Sequence, residues 1–152
     1  MKILIAVATY NRQNVTRNCL QNLQIIRNAD CKLVIYDDCS SSYDASYLEQ
    51  YADEVIRFQR NGGIERSRAK SFRDFVYRYT DYDLLYLTDN DTLHDPKFLE
   101  ILSEIYKTQQ AEFDNVLPVG LFNSVFHSYQ DNIITETKEF YISKTCPGVS
   151  QC

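Results

Sequence analysis

Short apolar runs alternate with longer amphipathic stretches along this chain. Residues 3 to 8 form an apolar run, which predicts a central strand at residues 2–8 that is covered on both faces. Similar short runs bounded by polar residues recur further along. They predict additional strands at residues 32–36, 54–58, 83–87, 116–122 and 139–143.

Helical spacing of apolar residues separates the first predicted strands. Apolar side chains from Val15 to Ile26 recur at that spacing, and Asn14 or Thr16 is suited to cap the resulting helix. A weak helix is predicted at residues 45–51. The segment between the first two strands is therefore expected to cross over the sheet as a helix.

Two further helices complete the pattern. Pro96 suits the first turn of a helix whose apolar face includes Phe98 and Leu102. The alternation of strands and helices predicts an α/β fold with a mostly parallel open sheet flanked by helices. Residues 64–79 are predicted to form an amphipathic helix with one apolar side, made of Ile64, Ala69, Phe72, Phe75, Val76 and Tyr79.

Length and charge narrow the class of protein. The chain has 152 residues, which suits one domain with a single core. The net charge is -5, and no run of Lys or Arg forms a basic stripe, so nucleic acid is not expected as a partner. An anionic small molecule remains compatible with an acidic protein, because a metal, an arginine or a helix N-terminus makes a site locally positive.

The cysteines and apolar segments indicate a compartment. The five cysteines include no C-x-x-C pair and are odd in number, so we expect reduced thiols in a cytoplasmic protein. The first apolar run is too short for a signal peptide or a membrane span, and no other stretch approaches a span. No integral membrane segment is expected.

Polar side chains follow three of the predicted strands. Asp89 and Asp91 come directly after an apolar run, Asp38 follows the second strand, and Tyr10 follows the first. The carboxyl ends of parallel strands lie along one edge of a sheet, where ligands usually bind. Two carboxylates this close are costly unless a cation or hydrogen-bond donors lie between them. The sequence therefore predicts a divalent metal that carries a phosphorylated ligand.

Structural interpretations of the same residues stay open. Asp38 and its neighbour Asp37 also suit turn chemistry, and Tyr10 suits packing. The Asn-Gly-Gly sequence at residues 61–63 is by default a turn, since no complete phosphate-loop motif surrounds it. His94 lies near Asp91, but we expect an exposed residue at the start of a helix.

Four motifs occur in order along the chain. They are A-T-Y-N-R at 8–12, V-I-Y-D-D-C-S-S at 34–41, R-N-G-G-I-E-R-S-R-A at 60–69 and L-T-D-N-D-T-L-H-D-P-K-F-L-E at 87–100. With these motifs the chain resembles the nucleotide-binding half of an inverting family 2 glycosyltransferase with the Rossmann-like GT-A fold. The resemblance covers about residues 1–105, and residues 106–152 would begin the acceptor-side half of the same single domain, which could be truncated here.

The resemblance implies roles for individual residues. Asp38 would read the uracil ring, and Arg68 would face the base and phosphates. Asp89 and Asp91 match the family's DXD motif and would hold Mn²⁺ or Mg²⁺ on the diphosphate of a UDP-sugar, with Asp89 near the ribose and Asp91 towards the metal. The implied acceptor is a glycan or another hydroxyl compound. The remaining residues implied to border the nucleotide are Thr9, Tyr10, Arg12 and Asn90.

The resemblance leaves the catalytic base unassigned. The family's basic helix here has Ala69 and Lys70 after Arg68, where many relatives have Asn. The segment that precedes the family's base would begin at Pro147, so the chain would end before that base. Asp131, Glu136 and Glu139 are acidic residues in the same half. Two alternatives remain, a non-catalytic domain that binds sugar nucleotides or glycans and a haloacid-dehalogenase-type phosphatase, whose D-x-D-x-T motif Asp89–Leu93 resembles imperfectly.

Overall fold

Four parallel strands form the central sheet of the computed structural model. The model describes residues 1–113, 133–136 and 141–143. The strands are β1 (Ile3–Thr9), β2 (Cys31–Asp37), β3 (Glu54–Arg57) and β4 (Leu84–Asp89). They lie in the order β3-β2-β1-β4, so the apolar β1 is central, as its sequence predicts.

Helices follow these strands in the predicted alternation. The chain therefore has the expected α/β fold with a mostly parallel sheet flanked by helices. Across the described residues, no helix combines the length and apolar character needed to cross a membrane. The helices are α1 (Gln13–Ile26), α2 (Ala45–Glu49), α3 (Ile64–Tyr77) and α4 (Phe98–Phe113).

The chain divides into two compact units. The first unit is Met1–Leu99 and contains the parallel sheet, and the second is Glu100–Cys152. In the second unit, β5 (Ile133–Glu136) pairs antiparallel with β6 (Tyr141–Ser143). The predicted strand at 139–143 overlaps β6, whereas the predicted strand at 116–122 lies outside the described residues. The sequence patterns did not predict β5.

Both faces of the central sheet are covered. Successive strand residues point to opposite faces, so Ile5 and Val7 lie on one face and Leu4 and Ala6 on the other. All four are buried. One core cluster consists of Leu4, Ala6, Val34, Tyr36 and Tyr79, with Ile56, Phe58, Phe75, Tyr82, Leu85 and Leu87 packed against it.

Helix α3 is oriented differently from the prediction. Phe72 and Val76, expected on the packed side, are 55% and 56% exposed, whereas Ser67 and Ser71 are buried. Bulky residues of the sheet already fill this face, and small serine side chains let the helix backbone approach it closely. Of the predicted apolar face, Phe75 packs against the core cluster and Tyr79, just beyond the helix, belongs to it. The predicted face is therefore confirmed for these two residues and wrong for Phe72 and Val76.

The start of helix α1 also differs from the prediction. The helix begins at Gln13, and Arg12 occupies the N-cap position without a side-chain capping bond. Thr16 lies inside the helix, where its hydroxyl donates to the carbonyl oxygen of Asn11 at 3.0 Å. The prediction of Asn14 or Thr16 as the N-cap was wrong, because a left-handed backbone at residues 11 and 12 starts the helix earlier.

Candidate functional site

Three neighbouring strands end at the same level of the sheet. Thr9 is paired with Asp37 across β1 and β2, and Ala8 is paired with Asp89 across β1 and β4. Because the strands are parallel, the residues that follow them emerge along one edge. Asp38, the turn after β4 and the corner after β1 therefore border a common region.

Asp38 connects the exit of β2 to the loop before α3. Its buried carboxylate accepts hydrogen bonds from the backbone amides of Gly62, at 3.0 Å, and Gly63, at 2.7 Å, and it pairs with the guanidinium of Arg66. Gly63 has φ 83°, which favours glycine, and a Cβ at Gly62 would clash with the Arg66 side chain. The two glycines lie in the loop that leads into α3, with Gly63 at the N-cap position, and they bring their amides to Asp38.

Asp37 supports this arrangement from inside the protein. Its fully buried carboxylate accepts a hydrogen bond from the Thr9 hydroxyl at 3.0 Å and another from the Ser40 amide at 3.1 Å. Arg57 Nε lies 3.5 Å away. The open interpretation of Asp37 as turn chemistry is what the structure shows. Thr9 is likewise turned inward, and Arg57 is a supporting residue that the sequence patterns missed.

A left-handed corner joins β1 to α1. Asn11 and Arg12 have φ values of 53° and 54°, which few non-glycine residues adopt, although asparagine tolerates them best. The Asn11 side-chain oxygen accepts hydrogen bonds from the amides of Ser41 and Ser42, at 2.8 and 3.1 Å. These bonds tie the corner to the loop after β2. Tyr10, just before the corner, is exposed.

The acidic turn, which we define as Asp89, Asn90 and Asp91, begins at the last residue of β4. Arg68 Nη2 lies 3.3 Å from Asp89 Oδ2, and Arg12 Nη1 lies 3.0 Å from Asp91 Oδ2. The pKa of Asp89 is raised above its ordinary value, chiefly by burial and also by the nearby Asp91 carboxylate, although Arg68 lowers it in part. Each carboxylate of the turn thus has one arginine as its counter-ion.

The middle residue of the acidic turn points inward. Asn90 is buried, and its Nδ2 donates hydrogen bonds to Thr16 Oγ1 at 2.6 Å and to the Asn11 carbonyl oxygen at 3.5 Å. The turn is therefore fastened to helix α1 and to the left-handed corner. The carboxylates of Asp89 and Asp91 take no part in these hydrogen bonds and pair with arginines instead.

His94 is buried rather than exposed. Its ring packs against Tyr86 and Phe98, with Nε2 2.9 Å from Tyr86 Oη and 3.3 Å from Thr88 Oγ1. It also precedes α4 instead of starting it. The prediction of an exposed helix-start residue was wrong, because an aromatic slot that the local pattern does not reveal accepts the imidazole.

The donor set suits a hard cation that shares its ligands with a phosphate. Within the described part of the chain, no group of three or more His, Cys, Asp or Glu side chains could enclose a metal ion. Asp89 and Asp91 are two carboxylates, and Mg²⁺ is typically held by one or two carboxylates with substrate phosphates and water. The residues therefore fit a cation bound together with a diphosphate, and they do not form an all-protein metal cage.

Apart from Asp38 and the exposed Tyr10, the sequence-predicted site residues fall into two groups. The structure brings Arg12 to Asp91 and Arg68 to Asp89 as direct ion pairs. It directs the side chains of Thr9 and Asn90 into supporting hydrogen bonds. The structure also shows supporting residues that the sequence patterns marked at most as part of a turn, namely Asn11, Asp37, Arg57 and Arg66.

Comparison with known proteins identifies relatives of this arrangement. The model of the family described as glycosyl transferase family 2 matches residues 4–147. No curated protein sequence matches the chain. Two solved structures of TarS 1-349 from S. aureus are similar, one without a named ligand (TM-score 0.58, 19% identity, 72% of this chain and 33% of that chain) and one in complex with UDP-GlcNAc (TM-score 0.56, 18% identity, 72% and 32%).

The structure of a mannosyltransferase is also similar to this chain. The mannosyltransferase PcManGT from Pyrobaculum calidifontis, in complex with GDP-Man and Mn²⁺, has a TM-score of 0.53 and 17% identity over 64% of this chain and 30% of that chain. The chain spans about one third of the length of these proteins. At such identities the likeness shows the fold, which is the GT-A type.

Proposed function

The chain belongs to glycosyl transferase family 2, and from this premise we propose that it transfers a sugar from a UDP-sugar donor to a hydroxyl group of a glycan or another acceptor. The proposed transfer depends on Mn²⁺ or Mg²⁺ and inverts the configuration at the sugar. Residues 1–152 act as one transferase domain, with the donor site in residues 1–105 and the start of the acceptor side in residues 106–152.

One observation carries this proposal. Two carboxylate–arginine ion pairs, Arg12–Asp91 and Arg68–Asp89, lie at the carboxyl edge of a parallel sheet. Asp38 follows the end of another strand at the same edge. A diphosphate with its cation needs both signs of charge at one place, because the cation requires carboxylates and the phosphate oxygens require donors. The acidic turn and its arginines supply both.

Each side chain has a proposed task in donor binding. Asp89 and Asp91 hold the cation, which stabilises negative charge on the departing UDP. Arg68 and Arg12 donate to phosphate oxygens, for which the planar guanidinium is well suited. Asp38 accepts from the uracil ring, and Tyr10 forms an exposed wall beside it. The inward contacts of Thr9 and Asn90 hold this edge in place.

The neighbours support the donor class. One TarS structure contains UDP-GlcNAc, and the mannosyltransferase structure contains GDP-Man with Mn²⁺. We choose uridine for this chain because Asp38 matches the uracil-reading position of the family. A cytoplasmic location and the lack of a nucleic-acid partner belong to the same proposal. The catalytic base is unassigned.

Calorimetry tests the donor site directly. UDP is titrated into the protein with Mn²⁺ and, separately, with excess chelator. We expect binding that depends on the metal, and a loss of at least about tenfold in affinity for Asp91→Asn, because an amide is a poorer ligand than a carboxylate for a hard cation. The matched control is Asp81→Asn, which removes an exposed carboxylate paired with Lys2.

The outcomes separate three possibilities. Equal UDP affinity with Mn²⁺ and with chelator would contradict the metal-dependent site. Unchanged affinity in Asp91→Asn would reject Asp91 as a ligand. Measuring UDP release from UDP-sugars in the presence of acceptor hydroxyl compounds then tests turnover, and metal-dependent binding without any release would favour the non-catalytic sugar-nucleotide-binding domain.

A further inference from the structure

The two ion pairs of the acidic turn differ in their exposure to solvent. The side chains of Arg68 and Asp89 are 25% and 36% exposed, whereas those of Arg12 and Asp91 are 65% and 44% exposed. Exposed ion pairs contribute little stability, since solvent screens them and two long side chains must be ordered. The Arg12–Asp91 pair is therefore the one that breaks at low cost.

Arg12 combines a hydrogen-bonded backbone with a solvent-exposed side chain. Its carbonyl oxygen accepts the first hydrogen bond of α1, from the Thr16 amide at 2.9 Å, and the preceding Asn11 is tied to the loop after β2. Beyond the backbone, the Arg12 side chain is 65% exposed and its guanidinium pairs with Asp91. The guanidinium can therefore change partner without any change in the fold around it.

The two groups that compete for Asp91 carry the same sign of charge. A divalent cation on Asp91 and a guanidinium at 3.0 Å from the same carboxylate repel each other, and the guanidinium already occupies one of the two carboxylate oxygens, Oδ2. A diphosphate brings new negative charge to this edge, and a guanidinium released from Asp91 would find phosphate oxygens as alternative acceptors.

We propose that Arg12 is an exchangeable counter-ion of Asp91. Arg12 neutralises Asp91 while no cation is bound, leaves it when the cation binds, and then pairs with the diphosphate of the donor. Arg12 thereby keeps the empty acidic turn from binding cations without nucleotide. This inference rests on the proposed function, because it takes Asp91 as the carboxylate that meets the cation.

The exchange predicts effects of opposite sign for one substitution. Arg12→Gln removes the competitor of the cation, so affinity for Mn²⁺ alone should rise. It also removes a phosphate donor, so affinity for UDP at saturating Mn²⁺ should fall. If Arg12 only ordered the acidic turn, Arg12→Gln would lower both affinities. If Arg12 only bound phosphate, Arg12→Gln would leave the affinity for Mn²⁺ alone unchanged.

Electron paramagnetic resonance of free Mn²⁺ measures the first effect, and calorimetry with UDP measures the second. For Arg12→Gln we expect Mn²⁺ to bind about 1.5- to 5-fold more tightly, the range that an exposed ion pair is worth. We expect UDP to bind several-fold more weakly at saturating Mn²⁺. Arg12→Lys keeps the charge and should resemble the wild type for Mn²⁺.

A second arginine on the same helix provides the matched control. Arg17 is exposed on α1, and Arg17→Gln removes an equal charge while leaving Asp91 paired with Arg12. We expect it to match the wild type in both measurements. A gain in Mn²⁺ affinity in both variants would reflect net charge alone and would overturn the exchange.

The failures of the two proposals are distinguishable. If wild-type protein binds UDP equally with and without Mn²⁺, the proposed function fails. If wild-type binding depends on Mn²⁺ but Arg12→Gln binds Mn²⁺ no more tightly than wild type, including the case in which neither binds it detectably, the exchange is overturned and the proposed function stands. The exchange is supported if Arg12→Gln binds Mn²⁺ more tightly and UDP more weakly than the wild type while Arg17→Gln shows neither change.

Discussion

A single buried imidazole fastens the segment that follows the acidic turn. The His94 backbone amide donates to Asn22 Oδ1 at 2.8 Å, and Asn22 Nδ2 donates to the His94 carbonyl oxygen at 3.2 Å. The ring contacts Tyr86 and Thr88 of β4 and packs on Phe98. His94 therefore ties this segment to both α1 and β4.

Burial of His94 makes stability depend on pH. Burial lowers the pKa of His94 below its ordinary value of 6.5, and the recorded ring neighbours, Tyr86, Thr88 and Phe98, supply no carboxylate to offset this. The unfolded chain then binds the proton more readily than the folded chain, so stability is lost as pH falls through 6.5 towards the folded pKa. In urea unfolding between pH 7.5 and 5, wild type should lose more free energy of unfolding than His94→Gln. Parallel losses in both proteins would show that other groups dominate.

The contrast between His94 and Asp91 shows what local sequence predicts at the residue scale. Asp91 was identified because its position depends only on the end of an apolar strand. The environment of His94 depends on the side chains of Tyr86 and Phe98, which are brought to the ring by packing. A polar residue after a turn is usually exposed, and no local pattern marks the exception.

Between elements, the left-handed corner after β1 is the least ordinary feature. A left-handed conformation costs a non-glycine residue roughly 1–2 kcal/mol, and here two such residues are adjacent. The hydrogen bonds of the Asn11 side chain to Ser41 and Ser42 offset part of this cost. The corner in turn positions Arg12 against Asp91.

Two substitutions at Asn11 separate hydrogen bonding from backbone strain. Asn11→Gly removes the side-chain acceptor but tolerates φ 53°, and we expect it to cost about 1–2 kcal/mol in the free energy of unfolding. Asn11→Ala removes the same acceptor and also strains the backbone, so it should cost about 1 kcal/mol more than Asn11→Gly. Urea unfolding of both variants measures this difference. Equal stability of the two would show that the left-handed backbone is not maintained without the asparagine.

Helix α3 shows where periodicity fails at the element scale. Its apolar residues do recur at helical spacing, but the side facing the sheet carries Ser67, Ser71 and Asp74. Asp74 accepts a hydrogen bond from the buried hydroxyl of Tyr36 at 3.1 Å, so a polar group on the helix matches one on the sheet. Such a match across two elements is invisible in either element alone.

The orientation of α3 predicts an unusual pair of mutational effects. Ser71→Leu inserts a large side chain at a buried position, and overpacking of this kind typically costs about 1–3 kcal/mol. Phe72→Gln removes an aromatic ring that is 55% exposed and should cost less than about 1 kcal/mol. The free energy of unfolding in urea checks both. A greater loss for Phe72→Gln than for Ser71→Leu would restore the orientation predicted from periodicity.

At the scale of the whole chain, topology does most to assemble the candidate site. The apolar runs that predict β1, β2 and β4 also predict which residues follow them, and parallel pairing then brings these residues to one edge. This is why the sequence predicts Asp38, Asp89 and Asp91 as neighbours. The supporting bonds of Asn11, Arg57 and Arg66 join segments far apart in sequence, and no periodic signal encodes such pairings.

Because the site draws on three strand exits, a ligand that binds there should stabilise the whole unit Met1–Leu99. A ligand that binds only the folded state adds RT ln(1 + [L]/Kd) to the free energy of unfolding, about 2.7 kcal/mol at 100 times Kd.

In a thermal unfolding series with UDP, GDP, ADP and CDP at equal concentration, we expect the largest increase in Tm for UDP with Mn²⁺ and little increase with chelator. Asp38→Ala should reduce the preference for UDP over the other nucleotides more than it reduces the dependence on Mn²⁺. An equal increase for all four nucleotides in the wild-type protein would contradict uracil reading by Asp38 while leaving the diphosphate site intact.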